Sequence, residues 1–450
     1  MTFPDFMLVV MFAVGIPVVL YSWKRPLYLV PLFVLLCGGL FGQVNLEEEM
    51  SVKIASGFTL VIRDFVVALM LIHVARALPK KKPRAVYRRP LVAFLIALLL
   101  NMIIKLMFFG SEFDPKVTPI VRFLVSMAAV YLLITCYLSD ENASSFFHSC
   151  SLLAIVSVIV LIGYVVGAFP LPPSINPSQQ LFVGGEATAI RLGLPNAYFL
   201  LFPYFAAIAP LANRISKLNK WDIVTIVAML LGAFLALYRM YLSIVIIGVI
   251  VALMSRGGNL FKRLAIGLAL VAVVFAAIQI LAEANKSGIA GAVFERFGGV
   301  EEELQSEGSS GGSRIVRNFA ALGALGDPST AFLGTVFTFQ DQEMRKLFVG
   351  DIGILSTTVY FGVAGFLLVF VIFKRGISLG LRSLRDVRLS GRVSTMVMLF
   401  LVAMIPATLF MYDPLAHETV TVLWMAMLGT YDALGVTRTQ GVSSTVHAGP

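Results

Sequence analysis

Long apolar runs alternate with short polar segments along the whole chain. A bilayer core about 30 Å thick requires roughly 20 apolar residues per helix, and most of the runs are close to that length. They lie at about residues 5–21, 27–42, 58–77, 90–109, 118–138, 149–169, 196–212, 222–238, 239–254, 264–282, 352–373, 393–411 and 418–435. The pattern predicts an all-α fold, a polytopic membrane bundle of about 12–13 transmembrane helices. The first two runs are short and could form a re-entrant pair.

The composition excludes a soluble enzyme. Hydrophobic residues make up 58% of the chain and charged residues only 13%, whereas soluble domains carry about 25% charged residues. The net charge is +10, but the basic residues lie in short loops between apolar runs, so membrane topology explains them better than nucleic-acid binding. The three cysteines lack metal-ligand spacing, so neither a zinc site nor a disulfide is expected.

The basic residues also orient the predicted helices. They concentrate in alternate loops, above all in residues 78–89 with Lys80, Lys81 and Lys82, and short loops rich in Lys and Arg face the cytoplasm. The opposite loops then face outward, and with thirteen spans so does the N-terminus.

Four parts of the chain follow from this topology. Residues 1–282 hold the first ten spans, 283–351 form one large periplasmic loop, and 352–435 hold the last three spans. Residues 436–450 form a cytoplasmic tail that we expect to be disordered. Within the loop, residues 301–313 are too polar to bury apolar surface, so we expect them to be mobile.

Four cations lie inside predicted spans, where ionisable residues are costly and usually functional. Arg63, Lys105, Arg122 and Arg239 each fall within about two turns of the outer end of their span. One interpretation is that these long side chains snorkel to the interface. The other is a basic layer that binds an anionic headgroup such as a lipid diphosphate.

Three outward-facing stretches carry motifs. They are Arg191-Leu192-Gly193-Leu194-Pro195-Asn196 before a span, Gly312-Ser313-Arg314 continuing through Arg317, and Asp351-Ile352 followed after nine residues by Gly362-Val363-Ala364-Gly365. Together with Arg239 at a span start, these stretches resemble the O-antigen ligase and O-antigen polymerase superfamily.

The resemblance implies a multi-pass protein of the bacterial inner membrane. Members of this superfamily join saccharides carried on a polyprenyl diphosphate at the periplasmic face, as in lipopolysaccharide and exopolysaccharide biosynthesis. The third stretch is similar to a ligase signature of His, then Asn, Ser or Gln, then nine residues and Gly-x-x-Gly. Asp351 stands at the His position. This difference favours a polymerase over a ligase that transfers glycan to a lipid A core or another acceptor.

The implied glycosyl transfer needs neither a metal nor a cofactor. Arg side chains can stabilise the negative charge that develops on the diphosphate leaving group, and the planar guanidinium matches phosphate oxygens. The candidate diphosphate ligands are Arg191, Arg239, Arg314, Arg317, Arg122 and Arg63. A solvated charge is the alternative for Arg191, Arg314 and Arg317. Two acid-x-acid triplets, at 112–114 and 341–343, resemble metal-binding pairs but arise often by chance.

A general base must accept the proton of the acceptor hydroxyl. Asp351 is the positional candidate, and its alternative role is a helix N-cap. Asp413 and His417, in the last outward turn, form a second candidate set. An ordinary interfacial histidine is the alternative for His417.

A transporter, such as a polysaccharide flippase, is the alternative from another class. Two related halves with cations near the midplane would indicate it, whereas this chain has one large outward loop and clusters its cations on one side. The expected partners are the polyprenyl-diphosphate-linked oligosaccharide, a saccharide acceptor, the lipid bilayer and other polysaccharide assembly proteins.

Overall fold

The computed structural model covers most of the predicted spans. It describes residues 3–37, 51–55, 58–77, 86–108, 118–165, 168–169, 180–183, 186–190, 197–212, 218–235, 239–255, 310–335, 353–384, 389–410 and 418–435. The predicted span 264–282 and the predicted tail 436–450 lie outside the described residues.

Helices dominate the described residues. They are α1 Phe3–Ser22, α2 Leu29–Cys37, α3 Ile62–Ala77, α4 Arg88–Phe108, α5 Thr118–Tyr137, α6 Asp140–Val165, α7 Ala197–Ala212, α8 Lys220–Leu235, α9 Arg239–Ser255, α10 Ser310–Leu325, α11 Pro328–Leu333, α12 Ile354–Ser383, α13 Leu389–Phe410 and α14 Glu418–Thr430. A π-helical turn, Tyr431–Gly435, continues α14, and a 3-10 turn, Pro26–Tyr28, precedes α2. The predicted all-α class is confirmed for this part of the chain, apart from two short hairpins.

The two hairpins were not predicted. β1 (Ser51–Ala55) pairs antiparallel with β2 (Phe58–Val61), and β3 (Gln180–Val183) pairs antiparallel with β4 (Glu186–Ile190). The predicted helical run 58–77 is therefore wrong at its first four residues. Phe, Thr, Leu and Val are good strand formers, and α3 begins only after Val61, whose N–H is bound by the Asp64 carboxylate at 2.9 Å.

Two predicted loops are shorter than expected because helices extend into them. Residues 140–148 belong to α6, where Asp140 and Glu141 occupy the first turn and suit the positive end of the helix dipole. Residues 374–383 continue α12. The predicted mobile stretch 301–313 is also wrong at its end, because Ser310–Ser313 form the first turn of α10.

The helices identify a membrane protein. Asp140–Tyr164, Ile354–Ser383 and Ser390–Leu409 are each long and apolar enough to cross a bilayer, and shorter apolar helices pack beside them. α7 is the centre of the packing, since it contacts α6, α8, α9, α13 and α14. Its aromatic residues Phe199, Phe202, Tyr204 and Phe205 are fully buried, while many large apolar residues of the outer helices stay exposed, as lipid-facing surfaces require.

Contacts between helix ends define two ends of the bundle. The Tyr137 hydroxyl, at the end of α5, donates to the His73 carbonyl near the end of α3, whereas Arg122 and Asp64 pair near the starts of the same two helices. We call one the basic end, because Arg25, Arg76, Arg375 and Arg392 lie there. Arg25 reaches Ser145 on α6, Arg76 stacks over the Trp23 ring, Arg375 donates to the Val86 carbonyl, and Arg392 forms a 3.0 Å ion pair with Asp222. The starts of α3, α5, α7, α9, α12 and α14 lie at the other end, which we call the opposite end.

A buried carboxylate at the basic end links three helices. Asp432, in the π-helical turn, accepts hydrogen bonds from the backbone N–H groups of Val86 (2.8 Å) and Tyr87 (3.0 Å), just before α4. The Tyr131 hydroxyl of α5 donates to the same carboxylate. Asp432 therefore caps α4, although it lies 345 residues away in the chain. Its carboxylate accepts from backbone N–H groups that lipid cannot hydrogen-bond.

Replacing Asp432 with Ala should destabilise the protein, because each buried donor left without an acceptor costs about 1–3 kcal/mol. Chemical unfolding in detergent micelles measures the loss. Tyr131→Phe is the matched control: it removes one donor but leaves the amides bound, so its loss should be about 1 kcal/mol. Equal stability of Asp432→Ala and the unchanged protein would contradict the capping role.

Candidate functional site

The structure describes only some of the predicted site residues, and Arg63, Arg122 and Arg239 lie near the starts of their helices, at the opposite end. Arg239 is the first residue of α9, so the predicted span start is confirmed. Arg314 and Arg317 lie in α10. Other candidates fall outside the described residues; these are Arg191, Asp351, Asp413 and His417. Their predicted roles stay predictions.

Arg122 forms an ion pair that the sequence did not predict. Its Nε lies 3.0 Å from Oδ1 of Asp64, and both side chains are largely buried, with 17% and 14% exposed. The other Asp64 oxygen binds the Val61 N–H at the start of α3. This arrangement joins the starts of α3 and α5 and balances the Arg122 charge locally. A diphosphate role for Arg122, or for the half-buried neighbour Arg63, stays a prediction.

The glycine motif marks a break in α12. Gly362 has φ +64° and ψ −161° inside a helix that continues on both sides, a conformation that is essentially restricted to glycine. A Cβ at this position would lie 2.3 Å from the Phe332 carbonyl oxygen. Gly365 is also tightly packed, since a Cβ there would lie 2.7 Å from the Cβ of Phe361. Gly362 is therefore needed for close approach of the Phe332 backbone, and Gly365 leaves room for the Phe361 side chain.

Residues that follow α11 hydrogen-bond to the backbone of α12 beside this break. The Thr335 N–H donates to the carbonyls of Val359 (2.8 Å) and Tyr360 (3.0 Å), and the Thr335 hydroxyl donates to Val359 at 2.9 Å. Gly334 has φ +74°, and a Cβ there would lie 2.3 Å from the Tyr360 carbonyl oxygen. We call this contact, between residues 333–335 and residues 359–362, the glycine junction.

α4 supports the glycine junction from its other side. The Asn101 amide donates to the Leu333 carbonyl at 3.1 Å, and the Lys105 ammonium donates to the Gly334 carbonyl. Lys105 is only 6% exposed, so snorkelling to water does not describe it. The sequence identified Lys105 but missed Asn101. The sequence did indicate Asn101, since it lies four residues before Lys105 and therefore on the same side of an apolar helix.

α10 packs on the same part of α12. Ala321 is fully buried against Val359, with Leu355 and Tyr360 beside them. Arg314 and Arg317 precede this contact in the same helix, seven and four residues before Ala321.

A strong cap fixes the turn between α10 and α11. The Asp327 carboxylate accepts hydrogen bonds from the backbone N–H of Thr330 (3.0 Å) and Ser329 (3.3 Å) and from both hydroxyls. These bonds stabilise the charged form and lower the pKa of Asp327 to about 2.

A metal site is not evident in the part of the chain that the structure describes. No three His, Cys, Asp or Glu side chains lie together there. The acid-x-acid triplets at 112–114 and 341–343 lie outside the described residues.

A comparison with protein-family models finds no family that matches the chain. A comparison with curated proteins finds no match either.

Gly362→Ala should lower the free energy of unfolding by about 1–3 kcal/mol or more, since Ala is strained at this φ and ψ and its Cβ would collide with the Phe332 carbonyl. Gly323→Ala is the matched control. It lies in α10 with open space around the Cβ position, so it should stabilise α10 by about 0.5–1 kcal/mol. Unfolding in detergent measures both, and a loss of similar size in the two variants would rule out the strained junction.

The Asp327 cap should lose its stabilising effect only in strong acid. The folded-state pKa of about 2 lies below the ordinary Asp value of about 3.9, so the contribution is complete above about pH 5 and disappears as the pH falls through the folded-state pKa of about 2. Hydrogen exchange of the Ser329 and Thr330 amides tests this. Protection, corrected for intrinsic exchange, should stay constant from about pH 7 to about pH 5 and then fall; Asp327→Asn should flatten that fall. A loss that is already complete at about pH 4 would refute the lowered pKa.

Proposed function

We propose that this protein is a membrane glycosyltransferase that polymerises oligosaccharide repeat units carried on a polyprenyl diphosphate. It acts at the periplasmic face of the bacterial inner membrane, through about 12–13 spans and the large loop 283–351. The opposite end of the bundle is the periplasmic one in this proposal, because the cations of the basic end follow the positive-inside rule.

The placement of α10 carries the proposal. This helix bears Arg314 and Arg317, and it is held against the start of α12 by Ala321 and by the glycine junction. Arg239 begins α9 at the same end of the bundle. Fixed helices supply cations at one membrane boundary, which is where the diphosphate of a lipid-linked donor resides while its polyprenyl tail stays in lipid.

The cations would act on the leaving group. In the transfer, the anomeric carbon–oxygen bond to the diphosphate breaks, and a new bond forms from that carbon to the acceptor hydroxyl oxygen. The electron pair of the broken bond leaves with the polyprenyl diphosphate. Guanidinium groups held in place beforehand stabilise this charge without reorganising, and their planar fork suits paired phosphate oxygens.

The acceptor proton must pass to a base. Asp351 precedes Gly353, and a Cβ at Gly353 would lie 2.4 Å from the Thr408 carbonyl oxygen. The start of α12 therefore lies directly against the end of α13, from which the chain continues to Asp413 and His417. This neighbourhood supports the view that the two candidate sets serve one site, with either a carboxylate or the imidazole taking the proton.

Reconstitution tests the proposed activity. Purified protein in vesicles, supplied with a polyprenyl-diphosphate-linked oligosaccharide, should produce longer lipid-linked chains that gel electrophoresis resolves. Product on a lipid A core alone would indicate the ligase instead. Movement of the donor across the bilayer without any new glycosidic bond would contradict the proposal and indicate a transporter.

In that assay, Arg314→Ala and Arg239→Ala should each reduce the rate of chain extension by about 10²–10³-fold, the usual effect of removing one donor that stabilises transition-state charge. Arg314→Lys should retain part of the rate, because it keeps the charge but not the fork. Arg382→Ala, an exposed cation at the basic end, is the control and should extend chains normally. Full activity of Arg314→Ala and Arg239→Ala would refute the proposed mechanism.

A further inference from the structure

The length of α12 sets the depth of the glycine junction. Lys374 and Arg375 are exposed on α12, and so mark the boundary of the bilayer core at the basic end. The helix is unbroken after Gly362, and the eleven residues to Phe373 span about 16 Å at about 1.5 Å per residue. In a core about 30 Å thick, Gly362 therefore lies roughly 14 Å inside the other boundary.

Irregular backbone at that depth must find all its hydrogen-bond partners within the protein. Four backbone groups of residues 333–335 do so. The carbonyls of Leu333 and Gly334 accept from Asn101 and Lys105, the Gly334 N–H donates to Thr330, and the Thr335 N–H donates to Val359 and Tyr360. In water, such side-chain donors from a membrane helix would be unnecessary, because solvent would satisfy these carbonyls.

The exposed side of this segment is apolar. Phe319 is 70% exposed, Phe332 64% and Leu322 53%. On α12, Val363, Phe366 and Phe370 are likewise exposed, and the backbone of Phe332 lies against Gly362, the residue before Val363. The exposed apolar surface therefore extends from the middle of α12 onto α11. It continues along α10 towards the membrane boundary at the opposite end.

We propose that residues 310–335 form a re-entrant membrane segment whose apolar face, Phe319, Leu322 and Phe332, contacts the acyl chains of the leaflet opposite Lys374 and Arg375. The exposed turn with Asp327 and Pro328 lies at the aqueous boundary, and α11 descends from it by about 9 Å over its six residues. This part of the predicted periplasmic loop is then embedded in lipid. The lipid contact does not depend on any enzymatic activity.

Spin-label accessibility in vesicles tests the lipid contact. In a protein with Cys37, Cys136 and Cys150 replaced by Ala, single cysteines at Phe319, Leu322 and Phe332 carry a nitroxide. Phe370→Cys serves as the lipid reference and Pro328→Cys as the aqueous one. Collision with oxygen, relative to a water-soluble nickel chelate, should be several-fold higher at the three test positions than at Pro328, and similar to Phe370. A ratio at Phe332 or Phe319 as low as at Pro328 would overturn the proposal.

A second measurement avoids the cysteine background. Phe332→Trp conserves an aromatic side chain in the otherwise unchanged protein. In vesicles of brominated phosphatidylcholine, this variant should lose a larger fraction of its tryptophan fluorescence than the parent protein. Equal fractional quenching of the two proteins would contradict lipid contact at this position.

Discussion

The glycine junction is the contact on which the architecture of the opposite end depends. Backbone groups freed by the break at Gly362 cannot turn to solvent inside a bilayer, so the chain after α11 must supply or receive each hydrogen bond. Thr335 supplies donors to the carbonyls of Val359 and Tyr360, and Gly334 permits the close approach. Once this contact forms, α11 and α10 have little freedom left, because α10 is joined to α11 through the Asp327 cap.

Cations at both ends of the bundle are held by partners within the protein. Arg392 at the basic end pairs with Asp222, which holds helices together. At the opposite end, Arg122 is balanced by Asp64 and Lys105 supports the Gly334 carbonyl. Burial of a charge requires such partners. A cation inside an apolar run therefore does not by itself indicate a ligand site, and the diphosphate role of the six candidate arginines stays a prediction.

The sequence predicted what depends on local pattern and missed what depends on distant partners. Hydrophobic periodicity located most helices, and the start of α9 at Arg239 is confirmed. The hairpin at 51–61 was missed because Phe58–Val61 is as apolar as the helix that follows it. The cap of α4 by Asp432 joins residues 345 positions apart, and no local pattern contains such a pairing. The glycine motif was noticed as a resemblance, but its physical role, a close backbone contact with Gly334, required coordinates.

We propose that the glycine junction positions the arginines of α10 at a lipid diphosphate. An electron cryomicroscopy structure in lipid nanodiscs, with a non-hydrolysable polyprenyl-diphosphate saccharide, tests this directly. Phosphate density is expected beside Arg314 and Arg317 at the opposite end of the bundle, with the polyprenyl tail in the adjoining leaflet. Phosphate density at the basic end, or α10 detached from α12, would contradict it.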